Sequence, residues 1–501
     1  YDISDFLEID PIFGTMAEVE ELILEAHKRG IKVIFDFVMN HTSEQHPWFQ
    51  EALKGKDNPY RDYYIWADGK NGGQDLPNNW ESFFTGTVWE KEPSGDQYYF
   101  HLFAKEMPDL NWANPEVRRA MVDIAFFWLD KGVDGFRLDA FIHLQKEEGF
   151  PDVEGLDEGE IGLAENYYAN LPKINEYMKF FTSTLREHYP DTFIVGEAAS
   201  ATVELARSYT DLGGCDTVIT FRYFTMDEKS KDPRLSSNMQ KTKLLYGAFK
   251  KNLQEWQKVM ADVGGPTLYW NNHDMARVVS RIGDDSKHRD NSAKMLATLM
   301  YLQKGIPFIL NGEELGMKNL FLNDIKDFKS PEAKTFYKDA LALGYSEEAV
   351  LYNLRESSKD ASRGAMQWDQ SAFAGFSTVA PWSGVNVEAG YNVAAEEADP
   401  DSILHFYRKV LDLKKTDLFV EGDYHLWNTH DDFYVYERVM DKQVGLVICN
   451  VTDQPKEFVL HQLEPHGYRQ ILLQNEGNRL EGETLHLGPY GVAVFQTVYN
   501  S

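Results

Sequence analysis

The chain of 501 residues is long enough to bury a large core and to form more than one domain. Its formal net charge of −30 argues against nucleic acid and anionic membrane surfaces as partners, since both attract basic proteins. Cys215 and Cys449 are the only cysteines and lie far apart, which predicts a reducing, cytoplasmic compartment without disulfides. No apolar run approaches the roughly 18 to 20 residues that span a bilayer, so we expect no membrane segment.

A unit of helix, glycine and buried strand recurs along the first two-thirds of the chain. Thr15 to Lys28 carry apolar positions at helical spacing and end before Gly30, and the β-rich run Ile31 to Val38 follows. Later helix and strand pairs are predicted at 117–131 and 133–138, 173–188 and 193–197, 244–263 and 267–274, and 291–303 and 306–314, with a further apolar run at 215–221. Such alternation predicts a parallel sheet covered by helices.

Six strands of this kind fit either a closed α/β barrel or a doubly wound sheet. Polar, reactive residues at the carboxyl ends of several strands favour the barrel, and here they are His41, Asp139, Glu197, Asp274 and Glu313. No Gly-rich phosphate fingerprint follows a strand, which disfavours the dinucleotide-binding alternative. Because a barrel of this type has eight strands, we expect that its first two strands are absent from this chain and that the barrel is incomplete at its N-terminal side.

Two departures from the alternation predict the remaining domains. Residues 42–114 are rich in Trp, Tyr, Asn, Asp and Gly, which predicts an inserted, loop-rich subdomain after the third barrel strand. Beyond the helix at 403–415, short β runs separated by turns predict an antiparallel β-sandwich over 417–501. The catalytic (β/α)8 barrel is then expected to consist of 1–41 and 115–416.

The run Gly135-Phe-Arg-Leu-Asp-Ala140 places two charges where a core strand should have none. Arg137 and Asp139 are two residues apart, so their side chains point to the same face of an extended strand. A carboxylate that an arginine keeps ionised suits a nucleophile or an electrostatic catalyst. A structural ion pair that closes the strand end accounts for the same two residues, so both interpretations stay open at this point.

Carboxylates at three strand ends match the needs of glycoside hydrolysis, in which one group attacks and another protonates the leaving oxygen. Glu197 follows an apolar strand, a setting that raises the pKa of a carboxyl group towards that of a general acid. Spacing and setting therefore predict Asp139 as nucleophile and Glu197 as acid/base, with Asp274 holding sugar hydroxyls. His41 and His273 are candidate hydroxyl donors, although a structural role is commoner for a lone histidine.

Four ordered motifs resemble those of glycoside hydrolase family 13, the α-amylase family. They are Asp36-Phe-Val-Met-Asn-His41, Gly135-Phe-Arg-Leu-Asp139, Val195-Gly-Glu197 and Asn272-His-Asp274. Two further segments, Gly312-Glu-Glu-Leu-Gly-Met317 and Met366-Gln-Trp-Asp369, resemble the branch that contains oligo-1,6-glucosidase, dextran glucosidase, maltase-type α-glucosidase, trehalose-6-phosphate hydrolase and sucrose isomerase. The resemblance covers essentially the whole chain.

The resemblance implies a role for each matching residue. Asp139 matches the nucleophile that forms a β-glucosyl intermediate, Glu197 the acid/base and Asp274 the transition-state stabiliser. Substrate-binding roles are implied for Tyr1, His41, Arg137, Ala140, His273, Arg277 and Arg363. Gly-Ala follows Arg363 where the family usually has Thr-Pro, which is a departure from the pattern. No metal or cofactor is expected, because the family's structural Ca²⁺ loop would lie before residue 1.

The resemblance further implies a retaining, exo-acting α-glucosidase that releases terminal non-reducing glucose from short oligosaccharides. In this branch Val after the nucleophile accompanies α-1,6 preference, whereas Ala, Thr or Gly accompanies α-1,4 preference, so Ala140 predicts a maltase-like enzyme. The alternatives are oligo-1,6-glucosidase or dextran glucosidase, then trehalose-6-phosphate hydrolase or sucrose isomerase. Noncatalytic transporter subunits of the family are disfavoured, because the chain keeps all three carboxylates and shows no membrane anchor. A polysaccharide-binding module is disfavoured, because binding needs no carboxylate supported by an arginine. We expect an oligosaccharide substrate and a monomer or weak oligomer.

Overall fold

The structure, a computed structural model, describes residues 1–84, 86–93, 95–211, 213–460 and 470–498. Positions 85 and 94 of the predicted inserted subdomain, and 461–469 and 499–501 of the predicted β domain, lie outside the described residues. The chain forms two compact units, Tyr1–Arg222 and Tyr223–Ser501. Within the described ranges, no helix is both long enough and apolar enough to cross a bilayer.

The first unit alternates helices with parallel strands and carries a small antiparallel sheet. Its helices are α1 (Met16–Lys28), α2 (Pro47–Ala52), α3 (Lys70–Gly73), α4 (Pro115–Asp130), α5 (Glu165–Tyr168), α6 (Lys173–His188) and α7 (Val203–Thr210). Its strands are β1 (Ile34–Val38), β2 (Trp66–Asp68), β3 (Trp89–Lys91), β4 (Gln97–Phe100), β5 (Gly135–Asp139), β6 (Phe193–Glu197) and β7 (Thr217–Ile219).

A four-stranded parallel sheet in the order β1-β5-β6-β7 organises this unit, as the alternation predicts. Strand β1 begins at Ile34, three residues later than expected. The reason is local, because the Ile31 amide donates to the Ala26 carbonyl of α1 and the Val33 amide donates to the Asp134 carboxylate. These amides are therefore satisfied by the helix end and a side chain instead of a neighbouring strand.

Close strand packing explains the glycines of two of the sequence motifs. A Cβ atom on Gly135 would lie 2.0 Å from the Phe193 carbonyl oxygen on β6, and one on Gly196 would lie 2.6 Å from the Phe141 ring. Along β5, Phe136 and Leu138 are fully buried while the intervening charged residues are only partly buried. The expected two-residue alternation is confirmed, and it places Arg137 and Asp139 on one face of the strand.

The region after β1 folds around its own antiparallel sheet, with strand order β2-β4-β3. Its core is aromatic and includes Trp80, Trp89 and Phe100. The chain then returns to the end of β1, where the Leu110 amide donates to the Asn40 carbonyl. The excursion is thus tied to the strand end that carries His41.

The second unit combines helices, a short parallel strand pair and two antiparallel sheets. Its helices are α8 (Tyr246–Val259), α9 (Val278–Arg281), α10 (Arg289–Tyr301), α11 (Pro331–Ala342), α12 (Glu347–Ser357), α13 (Val393–Ala398), α14 (Ile403–Lys414) and α15 (Asp417–Val420). Its strands are β8 (Thr267–Leu268), β9 (Ile306–Pro307), β10 (Asp423–Leu426), β11 (Phe433–Met440), β12 (Gln443–Asn450), β13 (Lys456–Val459), β14 (Gln470–Gln474), β15 (Arg479–Glu481), β16 (Thr484–Leu487) and β17 (Val492–Val498).

Parallel strands β8 and β9 are far shorter than the predicted runs 267–274 and 306–314. Beyond them, the Phe308 amide still donates to the Leu268 carbonyl, and the Asn271 side chain bonds Glu313 and the Val278 amide. Towards the C-terminus, sheets β10-β11-β12-β17-β14 and β13-β16-β15 share one apolar core. This two-layer arrangement agrees with the predicted sandwich. The domain boundaries at 41/42, 114/115 and 416/417 stay predictions.

Candidate active site

In the first unit, one guanidinium joins three carboxylates. Arg137 Nη1 donates to Asp139 Oδ1 at 2.6 Å and to Asp36 Oδ1 at 2.7 Å, while Nη2 lies 3.0 Å from Glu197 Oε2. The side chains of Arg137, Asp139 and Glu197 are 14%, 13% and 11% exposed. The two carboxylates predicted to be catalytic are therefore brought together in a poorly solvated site through a single shared cation.

Asp36 belongs to this cluster, although it is absent from the predicted site residues. Strand register explains its position: Asp36 on β1 is the direct neighbour of Arg137 on β5, and Val38 is the neighbour of Asp139. Its location inside an apolar strand run was the signal available in the sequence, since a charge there needs a partner. Pairing strands about a hundred residues apart was needed to identify that partner.

The charge balance around Arg137 favours the ionised arginine. Burial by itself lowers the pKa of the guanidinium, but the carboxylates of Glu197, Asp36 and Asp139 outweigh it and raise the pKa above its ordinary value. The charged guanidinium donates hydrogen bonds to Asp36 and Asp139 and pairs with Glu197. Glu197 therefore lies beside a cation as well as in the apolar setting that the sequence predicts.

Tyr1 contacts Asp36 of this cluster, and His41 contacts Tyr1. The Tyr1 hydroxyl donates to Asp36 Oδ2 at 2.9 Å, and burial raises the pKa of this hydroxyl, so it remains protonated. The Tyr1 ring is about half exposed. His41 is 2% exposed, with Nε2 3.2 Å from the Tyr1 carbonyl oxygen and Nδ1 3.3 Å from Asn40 Nδ2. Burial lowers the pKa of His41, which keeps its ring neutral.

A buried ion pair contacts Asn40, the residue before His41. Asp109 is fully buried and lies 2.5 Å from Lys146 Nζ, while its other bonds come from the Asn40 side chain and the Leu102 amide. Lys146 Nζ also donates to the Asn40 side-chain oxygen at 3.1 Å. Because a buried ion pair is stable only when its remaining polar groups are bonded, this arrangement fixes Asn40, the residue before His41. Sequence reasoning missed this support.

Ala140, the residue after Asp139, has a left-handed backbone with φ 50° and ψ 24°. Alanine adopts this conformation at a cost, which a fold retains where the backbone direction matters. Here the turn brings the Ala140 amide to 3.4 Å from Glu197 Oε2, and the side chain is 6% exposed.

In the second unit, Arg363 bonds the predicted His273-Asp274 pair. Its Nε donates to the His273 carbonyl at 2.8 Å and its Nη2 donates to Asp274 Oδ1 at 3.2 Å. His273 Nε2 lies 3.3 Å from Asp274 Oδ2. The side chains of Arg363 and Asp274 are about one-third exposed, so both are within reach of a solute. These three predicted residues therefore form one group despite the unusual Gly-Ala after Arg363.

Arg277, in contrast, is buried and hydrogen-bonded to neighbouring protein groups. Its Nη1 donates to the Asn311 carbonyl at 2.6 Å, and its amide donates to the Asn319 side chain. Burial lowers its pKa to about 10, although the carboxylates of Glu313 and Glu314 act in the opposite direction. At 3% exposed it contacts protein in this structure, and a role towards substrate stays a prediction.

No group of three or more His, Cys, Asp and Glu side chains is arranged as metal ligands in the part of the chain that the structure describes. The expectation that the enzyme needs no metal or cofactor stays a prediction.

Comparison with known proteins identifies the family of this site. The model of the alpha-amylase catalytic domain matches residues 1–422. The chain is 39% identical to an oligo-1,6-glucosidase of Halalkalibacterium halodurans over 508 residues, which covers 99% of this chain and 88% of that relative.

Two solved structures are similar over nearly the whole chain. The structure of a family GH13_31 enzyme aligns with a TM-score of 0.88 at 43% identity, and the aligned region covers 99% of this chain and 89% of that enzyme. The trehalose-6-phosphate hydrolase of Bacillus licheniformis aligns with a TM-score of 0.91 at 37% identity, and the aligned region covers 100% of this chain and 89% of that enzyme. The predicted (β/α)8 barrel fold with a C-terminal β domain is thereby confirmed, whereas the expected absence of two barrel strands stays a prediction. The chain belongs to the alpha-amylase family, glycoside hydrolase family 13, and is a glycoside hydrolase of the α-glucosidase group.

Proposed function

We propose that the enzyme is a retaining, exo-acting α-glucosidase that removes terminal glucose from short α-1,4-linked oligosaccharides. The observation that carries the mechanism is the guanidinium of Arg137 shared by Asp139 and Glu197. Retaining glycosidases hold their two carboxyl groups about 5–5.5 Å apart, closer than inverting enzymes do. A single guanidinium that contacts both groups supports the shorter separation.

In the first step, a carboxylate oxygen of Asp139 attacks the anomeric carbon while the Glu197 carboxylic acid gives its proton to the leaving oxygen. The bond to the leaving sugar breaks, and a glucosyl ester forms on Asp139. In the second step, the Glu197 carboxylate takes a proton from water as the water oxygen attacks the anomeric carbon and releases Asp139. We assign attack to Oδ2, because Oδ1 is bonded to Arg137. Glucose leaves with the configuration it had in the substrate.

Asp274 is proposed to bind hydroxyls of the terminal glucose more tightly in the transition state than in the ground state. Its bond from Arg363 supports this role by keeping the carboxylate oriented. Tyr1, with a half-exposed ring held by its hydroxyl bond to Asp36, is proposed as the apolar platform for that glucose. His41 and His273 are proposed as hydroxyl-binding residues.

The proposed α-1,4 preference depends on Ala140, which lies in a left-handed turn. Its methyl group is the smallest side chain apart from that of glycine. A small residue beside the nucleophile leaves room for the differently angled α-1,4 leaving sugar. One methyl-scale difference changes discrimination by about 1–3 kcal/mol, so the preference is expected to be about tenfold to a hundredfold.

A second candidate is α-1,6 hydrolysis, which the oligo-1,6-glucosidase name of a relative at 39% identity favours. The test is a substrate panel of maltose, isomaltose, sucrose, trehalose 6-phosphate and dextran, with released glucose measured. We expect maltose to be cleaved faster than isomaltose. A strong isomaltose preference would overturn the linkage proposal, and absence of glucose release from every substrate would overturn the function.

We also propose that the enzyme acts in the cytoplasm as a monomer or weak oligomer, with small oligosaccharides as its ligands. Cys215 and Cys449 are buried as free thiols, which supports a reducing compartment. The net charge of −30 supports neutral ligands over nucleic acid.

A further inference from the structure

A buried carboxyl group in the second unit has no part in the mechanism above. Glu313 follows β9 and is 2% exposed. Its Oε1 accepts hydrogen bonds from the hydroxyls of Tyr301 on α10 and Tyr407 on α14, the latter at 3.0 Å. Its Oε2 accepts a bond of 2.5 Å from Asn271 Nδ2. Glu313 therefore joins two helices to the segment that follows β8.

Asn271 closes a turn that carries two of the proposed site residues. While its Nδ2 donates to Glu313, its Oδ1 accepts the Val278 amide at 2.7 Å at the start of α9. The turn between these two positions holds His273 and Asp274. The side chain of Asn271 is 3% exposed, so water does not replace either bond easily.

The orientation of the Asn271 amide is fixed by its partners. The Val278 amide is a donor and requires the side-chain oxygen, so the NH₂ group must face Glu313. The two tyrosine hydroxyls donate to Oε1 of Glu313, which leaves Oε2 as the acceptor for that NH₂ group. A carboxylate is thus the group that satisfies all three donors at this position.

We propose that Glu313 is a positioning residue that acts through Asn271 to hold the 272–277 turn, and with it Asp274, in a single conformation. The expected effect of Glu313 on kcat rests on the proposed function of Asp274.

The charged and titratable groups that face Glu313 are Tyr301, Tyr407, Arg277 and the adjacent Glu314. Burial raises the pKa of Glu313 to about 7, against the three hydrogen bonds that lower it. Burial and the nearby carboxylate raise the pKa of both tyrosines well above their ordinary value, so they remain hydroxyl donors. The ionised carboxylate makes the stronger, charge-assisted bond to Asn271, and protonation weakens it.

The decisive experiment exchanges the two partners. Glu313→Gln turns one carboxylate oxygen into an NH₂ group. With the carbonyl oxygen towards the tyrosines, this NH₂ group faces the NH₂ group of Asn271; with the amide turned round, the bond from Asn271 is no longer charge-assisted. We expect kcat for maltose to fall about tenfold or more with KM within threefold, because a bond to a charged group is lost and Asp274 acts in the transition state.

The double variant Glu313→Gln with Asn271→Asp restores the pattern, since the carboxylate introduced at position 271 accepts from both the NH₂ group introduced at position 313 and the Val278 amide. It should recover at least half of the lost activity on a logarithmic scale. Glu396→Gln is the matched control, because Glu396 is equally buried with a pKa raised to about 7 but bonds the Leu404 amide; we expect wild-type kcat. Loss of activity in the double variant equal to that of Glu313→Gln would overturn the proposal, as would full activity in Glu313→Gln.

Two measurements cover the remaining cases: Tyr407→Phe serves if Glu313→Gln folds poorly, and hydrogen exchange serves if the enzyme is inactive on the panel. Tyr407→Phe removes one donor to Glu313 and should move the acid limb of the pH profile of kcat to higher pH; an unmoved limb contradicts the proposal. Hydrogen exchange of the peptide covering 271–278, which needs no activity, should be faster in Glu313→Gln and unchanged in Glu396→Gln. Equal protection in both variants would refute the positioning role even if the glucosidase assignment failed.

Discussion

Replacing Arg137 by lysine is the perturbation that the site geometry specifies most sharply. The guanidinium contacts three carboxylates at 2.6, 2.7 and 3.0 Å from two of its nitrogens. An ammonium group is a single point charge and cannot reproduce a planar fork that reaches all three. Each hydrogen bond to a charged group contributes about 1.5–3 kcal/mol, so the loss of one or two corresponds to about 2–5 kcal/mol.

We expect Arg137→Lys to lower kcat/KM on maltose by about 10²–10³-fold and to lower the free energy of unfolding by about 2 kcal/mol. Steady-state kinetics and urea unfolding measure the two effects. Arg186→Lys is the control, because Arg186 pairs with Asp216 at 2.8 Å and donates to two backbone carbonyls elsewhere in the same unit. Its kcat/KM should stay at the wild-type value. An Arg137→Lys enzyme within twofold of wild type would refute the idea that the shared guanidinium organises the catalytic carboxylates.

Three further predictions test separate interactions in the structure. Ala140→Val should shift the ratio of maltose to isomaltose hydrolysis towards isomaltose. It should also lower the free energy of unfolding by about 1–2 kcal/mol, because a β-branched residue is strained in a left-handed turn, whereas Ala140→Gly should keep wild-type stability. Equal stability of the two variants would contradict the presence of backbone strain. Lys146→Met strands the fully buried Asp109 and should cost about 3–5 kcal/mol in urea unfolding, and an unchanged midpoint would argue against a tight pair. Because the pKa of Glu313 is raised to about 7, this group contributes on the order of 3 kcal/mol to the free energy of unfolding below pH 4.5, and the contribution is lost as the pH rises to about 7. In Glu313→Gln the free energy of unfolding should therefore change less with pH over this range. An equally steep pH dependence in the variant would be inconsistent with the burial of this group.

Local patterns predicted much of the fold because their causes are local. Helix α6 has the predicted bounds, Lys173–His188, since its apolar spacing is uninterrupted. The alternation along β5 predicted that Arg137 and Asp139 share a face, because side-chain direction in a strand alternates with every residue.

Contacts between distant segments could not be predicted in the same way. The Asp36–Arg137 pair depends on the register of two strands, and the Glu197–Arg137 contact depends on a third strand. The Glu313–Asn271 bond depends on an amide whose orientation is set by a third residue, Val278. The left-handed turn at Ala140 carries no sequence signal, since alanine is not a residue that favours it.

The proposed mechanism depends on the assignment of Asp139 as the nucleophile of a retaining reaction. It is tested most directly by trapping the glucosyl-enzyme with a slowly turned-over fluorinated glucosyl fluoride and locating the adduct by peptide mass spectrometry. We expect one fluorinated glucosyl adduct, on Asp139, and none in the Asp139→Asn variant. An adduct on another residue, or an unlabelled wild-type enzyme that releases glucose of inverted configuration, would contradict it.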